Sequence, residues 1–236
     1  SENSVSAVDV DSAGIVWAGT SNRGLNRLDP RTGQVTRYLS DPSDPDSLST
    51  DNILAVLSDP DGSVWVGTAG GGLDRLDPTT GAFRHYPNDP SDPQSLSDAY
   101  VQTLYLDRQG TLWVGTFTGG LNRLDAQTDR FTRFVHDPAD PASLGYNSVA
   151  SVFEGRTGLF WVGTVGGGLH LMDRETGRFT RTQNDPSEPT SLSNNSVFTV
   201  YQDSSGLMWI GTFDGGAARW RPVDLAPAAW LPLARR

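Results

Sequence analysis

Apolar and polar positions along the chain change rhythm in a short, regular cycle. Branched apolar residues dominate Asn52-Ile53-Leu54-Ala55-Val56-Leu57, which reads as a β-strand, a. Asp59-Pro60-Asp61-Gly62 interrupts it with the residues that supply the fixed and the positive φ of a tight turn. Apolar residues return over 63–68 as strand b, and Ala69-Gly70-Gly71-Gly72 turns the chain again. Leu73-Asp74-Arg75-Leu76-Asp77 follows as strand c, Pro78-Thr79-Thr80-Gly81 as a turn, and Ala82-Phe83-Arg84-His85-Tyr86 as strand d. Four short strands joined by three tight turns make an antiparallel meander, and no segment carries a helical period. A Pro- and Asp-rich connector, 88–97, leads into the next cycle.

The cycle returns every 48 residues without drift. Trp17, Trp65, Trp113, Trp161 and Trp209 mark it, each inside the same phrase, as in Val64-Trp65-Val66-Gly67-Thr68 and Met208-Trp209-Ile210-Gly211-Thr212. The a–b turn glycine recurs as Gly14, Gly62, Gly110, Gly158 and Gly206. Strand c carries Leu25, Leu73, Leu121 and Leu169, then Ala217; strand d carries Tyr38, Tyr86 and Phe134, then Thr182. A period of this length fits one four-stranded propeller blade. The expected fold is therefore all-β: a five-bladed β-propeller, each blade a four-stranded antiparallel meander of 48 residues, in a single domain over 1–236. The blades would span approximately 3–50, 51–98, 99–146, 147–194 and 195–236. After Trp220 the turn signature is lost and 222–227 resembles a linker, but Trp230 lies four periods after Tyr38. Residues 228–233 are thus expected to supply the fifth d strand, with Trp230 in the aromatic slot. A ring is favoured over an open array because the first copy shows no polar capping change. The competing arrangement is five blades of a larger set, or a ring completed by a second chain.

Composition narrows the function. With 26 Gly, 15 Pro and 36% apolar residues, the chain suits short strands and turns rather than a helical core. All 18 basic residues are Arg, and a net charge of -10 argues against nucleic acid and anionic membrane surfaces as partners. The absence of Cys excludes disulfides, thiolate metal sites and Cys nucleophiles. No stretch has the length of a membrane-spanning helix, so membrane insertion by this segment is not expected.

Several residues invite chemistry that their context does not support. The five tryptophans are large enough to stack on a ligand, but a fixed strand position packed between blades makes them core filler, needing one partner for each indole N–H. The glycine runs lack the Lys and the following helix of a phosphate loop. Asp-rich connectors such as Asp185-Pro186-Ser187-Glu188-Pro189 hold oxygen ligands, yet lack the Gly and distal Glu of a calcium loop. His85, His136 and His170 occupy different frame positions and are expected at the surface or at blade edges. No catalytic residue, metal site or cofactor is expected.

A binding site would lie where the copies differ. The b–c turns vary most and share one face with the starts of strand a. That places Arg23, Phe117, Phe213 and Asp214 on one rim, joined by Tyr100, Tyr146, Asn147, Asn194 and Asn195. Exposed aromatics with a few directional polar groups are what a sugar or peptide site uses.

The unit Asn195-Ser196-Val197-Phe198 running to Asp203-Ser204-Ser205-Gly206-Leu207-Met208-Trp209-Ile210-Gly211-Thr212 resembles the two-component regulator propeller repeat, over roughly residues 3–221. The resemblance implies the extracytoplasmic sensor part of a bacterial membrane receptor, hence a periplasmic or extracellular location and an output kinase domain that this chain lacks. It implies no binding motif residue by residue. Relatives commonly carry more than five repeats. The function expected is a non-catalytic sensory module for an oligosaccharide or small ligand, acting as a monomer. The alternatives are a protein–protein scaffold, or an amplified or engineered repeat array with no retained ligand. A lyase or hydrolase is weaker, because the rim offers only the isolated Asp214.

Overall fold

The computed structural model describes residues 4–220 and contains β-strands, turns and bends throughout. Five antiparallel sheets follow one another along the chain, each in simple meander order. The first consists of β1 Val5–Val10, β2 Val16–Thr20, β3 Leu25–Asp29 and β4 Gln34–Tyr38. The second consists of β5 Ile53–Ser58, β6 Val64–Thr68, β7 Leu73–Leu76 and β8 Phe83–Tyr86. The third holds β9 Val101–Leu106, β10 Leu112–Thr116, β11 Leu121–Asp125 and β12 Arg130–Phe134. The fourth holds β13 Val149–Glu154, β14 Phe160–Thr164, β15 Gly168–Asp173 and β16 Arg178–Thr182. The fifth contains three strands among the described residues: β17 Val197–Gln202, β18 Met208–Thr212 and β19 Gly216–Trp220. The fold is that of a five-bladed β-propeller, as the 48-residue period predicts. The expected fifth d strand, 228–233 with Trp230, lies outside the described residues.

The chain divides into two compact units, Ser1–Val135 with Asn147–Val149, and His136–Tyr146 with the residues from 150 onward. In the first unit the apolar core lies between successive sheets. Trp17, Leu25 and Leu48 pack with Ile53, Val66, Leu76 and Phe83 of the second sheet, against which Tyr38 also rests. Trp65, Leu73, Tyr86 and Leu96 pack in the same way with Val101, Val114, Leu124 and Phe131 of the third. In the second unit, Trp161, Leu169 and Leu192 pack with Val197, Val200, Met208 and Ile210. The connector leucines Leu48, Leu96, Leu144 and Leu192 are all buried, so each connector is pinned into the core as well as joining two blades.

Close approach between blades explains the glycine of the Trp-x-Gly-Thr phrase. A Cβ on Gly19 would lie 2.4 Å from Ile53 Cγ2; one on Gly67 would lie 2.6 Å from Val101 Cγ1. Gly115 faces Val149 at 2.8 Å and Gly163 faces Val197 at 2.7 Å. A β-branched residue at the start of strand a fills each of these hollows. Gly211 differs: among the described residues its Cβ would meet only Thr199 of its own blade. Trp209 differs too, with 39% of its surface exposed, whereas its four counterparts retain 1–3%. The reading of all five tryptophans as core filler therefore holds for four of them.

Candidate functional site

The indole N–H of the repeated tryptophan needs a polar partner, and in four of the five copies an aspartate of the a–b turn provides it. Trp17 Nε1 donates to Asp11 at 3.0 Å, Trp65 to Asp59 at 2.9 Å, Trp113 to Asp107 at 2.9 Å and Trp209 to Asp203 at 2.8 Å. The other carboxylate oxygen receives turn amides, as from Gln109 and Thr111 on Asp107. Hydrogen bonds from the Ser205 hydroxyl first, then the Trp209 indole, hold the Asp203 carboxyl down at about 2. In the fourth copy this position is Gly155. An Asp six residues before each Trp is visible in four of five copies, and it was the signal for this partner.

The histidines are placed more purposefully than their scatter in the frame suggests. His170 is fully buried, which corrects the surface or edge position expected for it. Its Nε2 accepts the Gly145 amide at 2.9 Å and its Nδ1 faces the Val162 carbonyl at 3.2 Å. The ring is thus neutral and protonated at Nδ1, and burial lowers its pKa to about 4. Asn122, one period earlier, makes the same pair of bonds: Oδ1 accepts the Ser97 amide and Nδ2 donates to Val114 O. His136 likewise stands where Asn88 and Asn184 stand, each bonding a connector leucine carbonyl.

His85 follows the opposite logic. Its Nδ1 lies 2.7 Å from the buried Asp74 carboxylate and its Nε2 lies 3.0 Å from the Pro45 carbonyl. Both nitrogens face acceptors, an arrangement that suits the imidazolium. Desolvation works against the charged ring, but the Asp74 and Pro45 bonds outweigh it and the His85 pKa is raised. Burial pushes the Asp74 carboxyl up, against the pull of its bonds from His85 and Ser49. These histidines fasten blades and connectors to one another.

Carboxylates of the connectors are engaged by their own turns. Asp89 Oδ1 accepts the Ser91 amide and hydroxyl, and Asp185 repeats the arrangement with Ser187. Among the described residues no group of three or more His, Asp or Glu is placed to hold a metal ion.

The residues expected at the rim lie at the b–c turns and strand a starts of the two units. In the first unit, the Phe117 amide, just after β10, donates to the Tyr100 carbonyl, just before β9, at 3.0 Å. Tyr100 is 50% exposed and Phe117 58%. Tyr100 also bridges to Ala69 of the preceding turn, and its ring lies over Gly70. Asp98 organises this edge: one carboxylate oxygen accepts both the amide and the hydroxyl of Thr118, and the other accepts the Tyr100 amide. Arg23 is exposed at the first b–c turn, where its amide is held by Thr20 Oγ1 at 3.0 Å.

In the second unit, Phe213 and Phe198 pair at 6.0 Å between ring centroids, tilted by 47°. Asp214 occupies the turn with a φ of 55°, in the left-handed region. Tyr146 is half exposed and its ring lies over Gly166. Asn194 and Asn195 are occupied with the turn itself, accepting the Ser196 amide, and the Asn184, Gly166 and Gly168 amides respectively. Asn147, which belongs to the first unit, accepts the Gly120 amide through its backbone carbonyl. Sequence reasoning missed Asp98 and Phe198, although both lie beside the strand a starts that it named.

A second concavity, about 580 Å³, opens at the opposite end of the second blade, between its a–b and c–d turns. The two guanidinium groups lining it are already paired, Arg75 with Asp61 and Arg84 with Asp129.

Comparison with known proteins places this geometry. Residues 47–70, 95–118 and 191–214 match the family model described as two component regulator propeller. No curated protein sequence matches the chain. Among solved structures, the extracellular domain of BT4673 from B. thetaiotaomicron, described both as a one component and as a hybrid two component system, shares 23% identity at a TM-score of 0.76. That match covers 94% of this chain, which spans only 28% of the other. The extracellular domain of BT3049 from the same organism, described as a hybrid two component system, shares 24% identity at a TM-score of 0.55, over 92% of this chain and 40% of that one. Virginiamycin B lyase from Staphylococcus aureus shares 15% identity at a TM-score of 0.65, over 94% and 71% respectively. Three segments of this chain are thus similar to the two component regulator propeller repeat, and its fold is similar to that of bacterial extracellular propeller domains.

Proposed function

We propose that the chain is a non-catalytic sensory module that recognises an oligosaccharide at its b–c rim, as part of the extracytoplasmic portion of a bacterial two-component receptor. The observation that carries this reading is exposed aromatics at b–c turns held in place by hydrogen bonds: Phe198 with Phe213, whose amide donates to the Ser196 carbonyl, and separately Tyr100 and Phe117, on an edge fixed by Asp98. Flat apolar faces held on rigid turns stack on sugar rings, and neighbouring polar groups set orientation. The match to extracellular domains of bacterial signalling systems supports the location and the role. The rim carries carboxylates without a partnered acid and base, so recognition without turnover is the chemistry it supports.

Native mass spectrometry of the chain with a pool of mixed oligosaccharides tests this. A discrete glycan adduct that is lost in Phe117→Ala, with the melting temperature unchanged, is the expected result. No adduct at up to millimolar glycan, or an adduct untouched by Phe117→Ala, Tyr100→Ala and Phe213→Ala, would overturn it.

A further inference from the structure

Three connectors are fastened from the same frame position of strand d, and one of the three fasteners is titratable. His85, Arg133 and Arg181 recur at the 48-residue period, on β8, β12 and β16. Across the sheet they face Asp74, Asn122 and His170 in one register. Each reaches back to the connector that precedes its own blade. Arg133 Nη2 donates to the Asp92 carbonyl at 2.8 Å and to the Ser95 hydroxyl at 2.9 Å, while its Nε donates to the Ser95 carbonyl at 3.0 Å. Arg181 repeats this on the Ser143 carbonyl, from Nε at 3.2 Å and Nη2 at 2.9 Å. A guanidinium keeps its charge and its donors at any pH that a folded protein meets, so these two clasps are permanent.

The first connector is held differently. His85 gives it one bond, from Nε2 to the Pro45 carbonyl at 3.0 Å, and turns its other nitrogen to Asp74 at 2.7 Å. Asp74 is fully buried, and its second oxygen accepts the Ser49 amide at 2.9 Å, so the pair touches the connector at two points. The charged groups that face the ring are Asp74 from β7 and Asp46 from the connector, and both favour the cation. With a proton on each nitrogen, both contacts are N–H···O bonds. Removing one proton leaves a single N–H for two acceptors. The carboxylate is the stronger of the two and keeps it, so Nε2 then turns a lone pair toward the Pro45 oxygen. The ring side chain is 31% exposed and exchanges its proton directly with water.

We propose that His85 and Asp74 form a pH-released clasp on the first connector, closed while the imidazole is charged and opened at Pro45 as rising pH makes it neutral. The docked connector binds one more proton than the released one, so docking is favoured at low pH and lost as pH rises. The arginine clasps of the second and third connectors stay shut over the same range. The device is independent of the ligand proposed for the b–c turns. The same connector goes on to hold two of those turns, through the Asp51 carbonyl on the Gly24 amide and the Asn52 carbonyl on the Ala69 amide.

Residue-resolved amide hydrogen exchange on the full chain tests the proposal, because two equivalent amides report docking. The Phe83 amide donates to the Asp46 carbonyl of the first connector, and the Phe131 amide to the Gln94 carbonyl of the second, each at 2.8 Å. Imidazole C–H resonances give the His85 midpoint, expected above the ordinary value of about 6.5. From about 1.5 pH units below that midpoint to about 1.5 above it, protection of Phe83 relative to Phe131 is expected to fall at least ~5-fold, toward the worth of one hydrogen bond to a charged group. Asp74→Asn with His85→Arg copies the Asn122–Arg133 pair of the third blade and should hold the ratio constant across that range. His85→Gln offers one N–H group at every pH and should show the high-pH ratio throughout. A ratio that does not move in the wild type would overturn the proposal. So would a pH-dependent fall that persists in either variant, or a His85 midpoint at or below the ordinary value.

Discussion

Asp107 shows how much one side chain of the repeat can carry. Its carboxylate takes the Trp113 indole and two turn amides while nearly buried, so it fixes the turn and satisfies a donor that has no water to turn to. Asp107→Ala is expected to cost roughly 2–4 kcal/mol in chemical denaturation, the loss of several charge-assisted bonds. The converse test is Gly155, where the fourth copy lacks the carboxylate. A Cβ there would meet only ordinary contacts, the nearest at 3.5 Å, with Trp161 Nε1 at 3.7 Å, and its φ is not positive. Gly155→Asp is therefore expected to raise stability by about 1 kcal/mol, the net value of one hydrogen bond. His170 gives a pH test of the same kind. Its folded pKa of about 4 lies below the unfolded value of about 6.5, so its contribution is complete above the unfolded value and is lost as pH falls toward 4. The full loss amounts to about 3 kcal/mol. His170→Asn reproduces the donor and acceptor used by Asn122 and should remove this segment of the pH–stability profile. His85, with its raised pKa, works in the other direction: its contribution is present below the unfolded value and fades as pH rises through the folded one.

At the scale of elements, the strands were legible because turns and apolar runs alternate so regularly, and observed strand ends differ from the expected ones by a residue or so, as with Ile53–Ser58 against 52–57. The positions of the b–c turns were also legible, since variation among copies separates turn residues from those that build the blade. Partners were harder to read. Asn26, Asp74, Asn122 and His170 are one frame position filled by three residue types, and only coordinates show that each meets the same connector or strand. Thr182 is a similar case. In the first three blades an aromatic at its position stacks near the Trp, at 6.1, 5.6 and 5.9 Å between ring centroids. In the fourth the slot is nearly vacated by Thr182, and Trp220, at the place of Leu76 and Leu124, meets Trp161 edge-on at 5.3 Å. Volume has moved from one strand to the next. Trp220→Leu alone is expected to cost about 2 kcal/mol as a truncation that leaves a cavity. Adding Thr182→Tyr should recover at least ~1 kcal/mol of it, a coupling that a double-mutant cycle measures directly.

The molecule as a whole is five versions of one unit, so one substitution made at equivalent places becomes a probe of what surrounds each blade. Gly67→Ala and Gly115→Ala each put a methyl group within 3 Å of the entering valine and against their own strand a, at 3.1 Å from Ala55 and 2.5 Å from Thr103, with backbone atoms among the neighbours. Overpacking of that kind, against atoms that cannot move aside, is expected to cost roughly 1–3 kcal/mol or more. Gly211→Ala meets only the methyl end of the exposed Thr199, which has room to turn away. Its melting temperature should therefore stay within a few degrees of wild type, corresponding to less than about 1 kcal/mol. Gly115→Ala should damage the fold itself, whereas Gly211→Ala should spare it, and thermal melts of the three variant proteins measure the difference. Equal loss of melting temperature at all three glycines would show that the fifth hollow is filled as the others are, and the asymmetry drawn from the neighbours of Gly211 would fall.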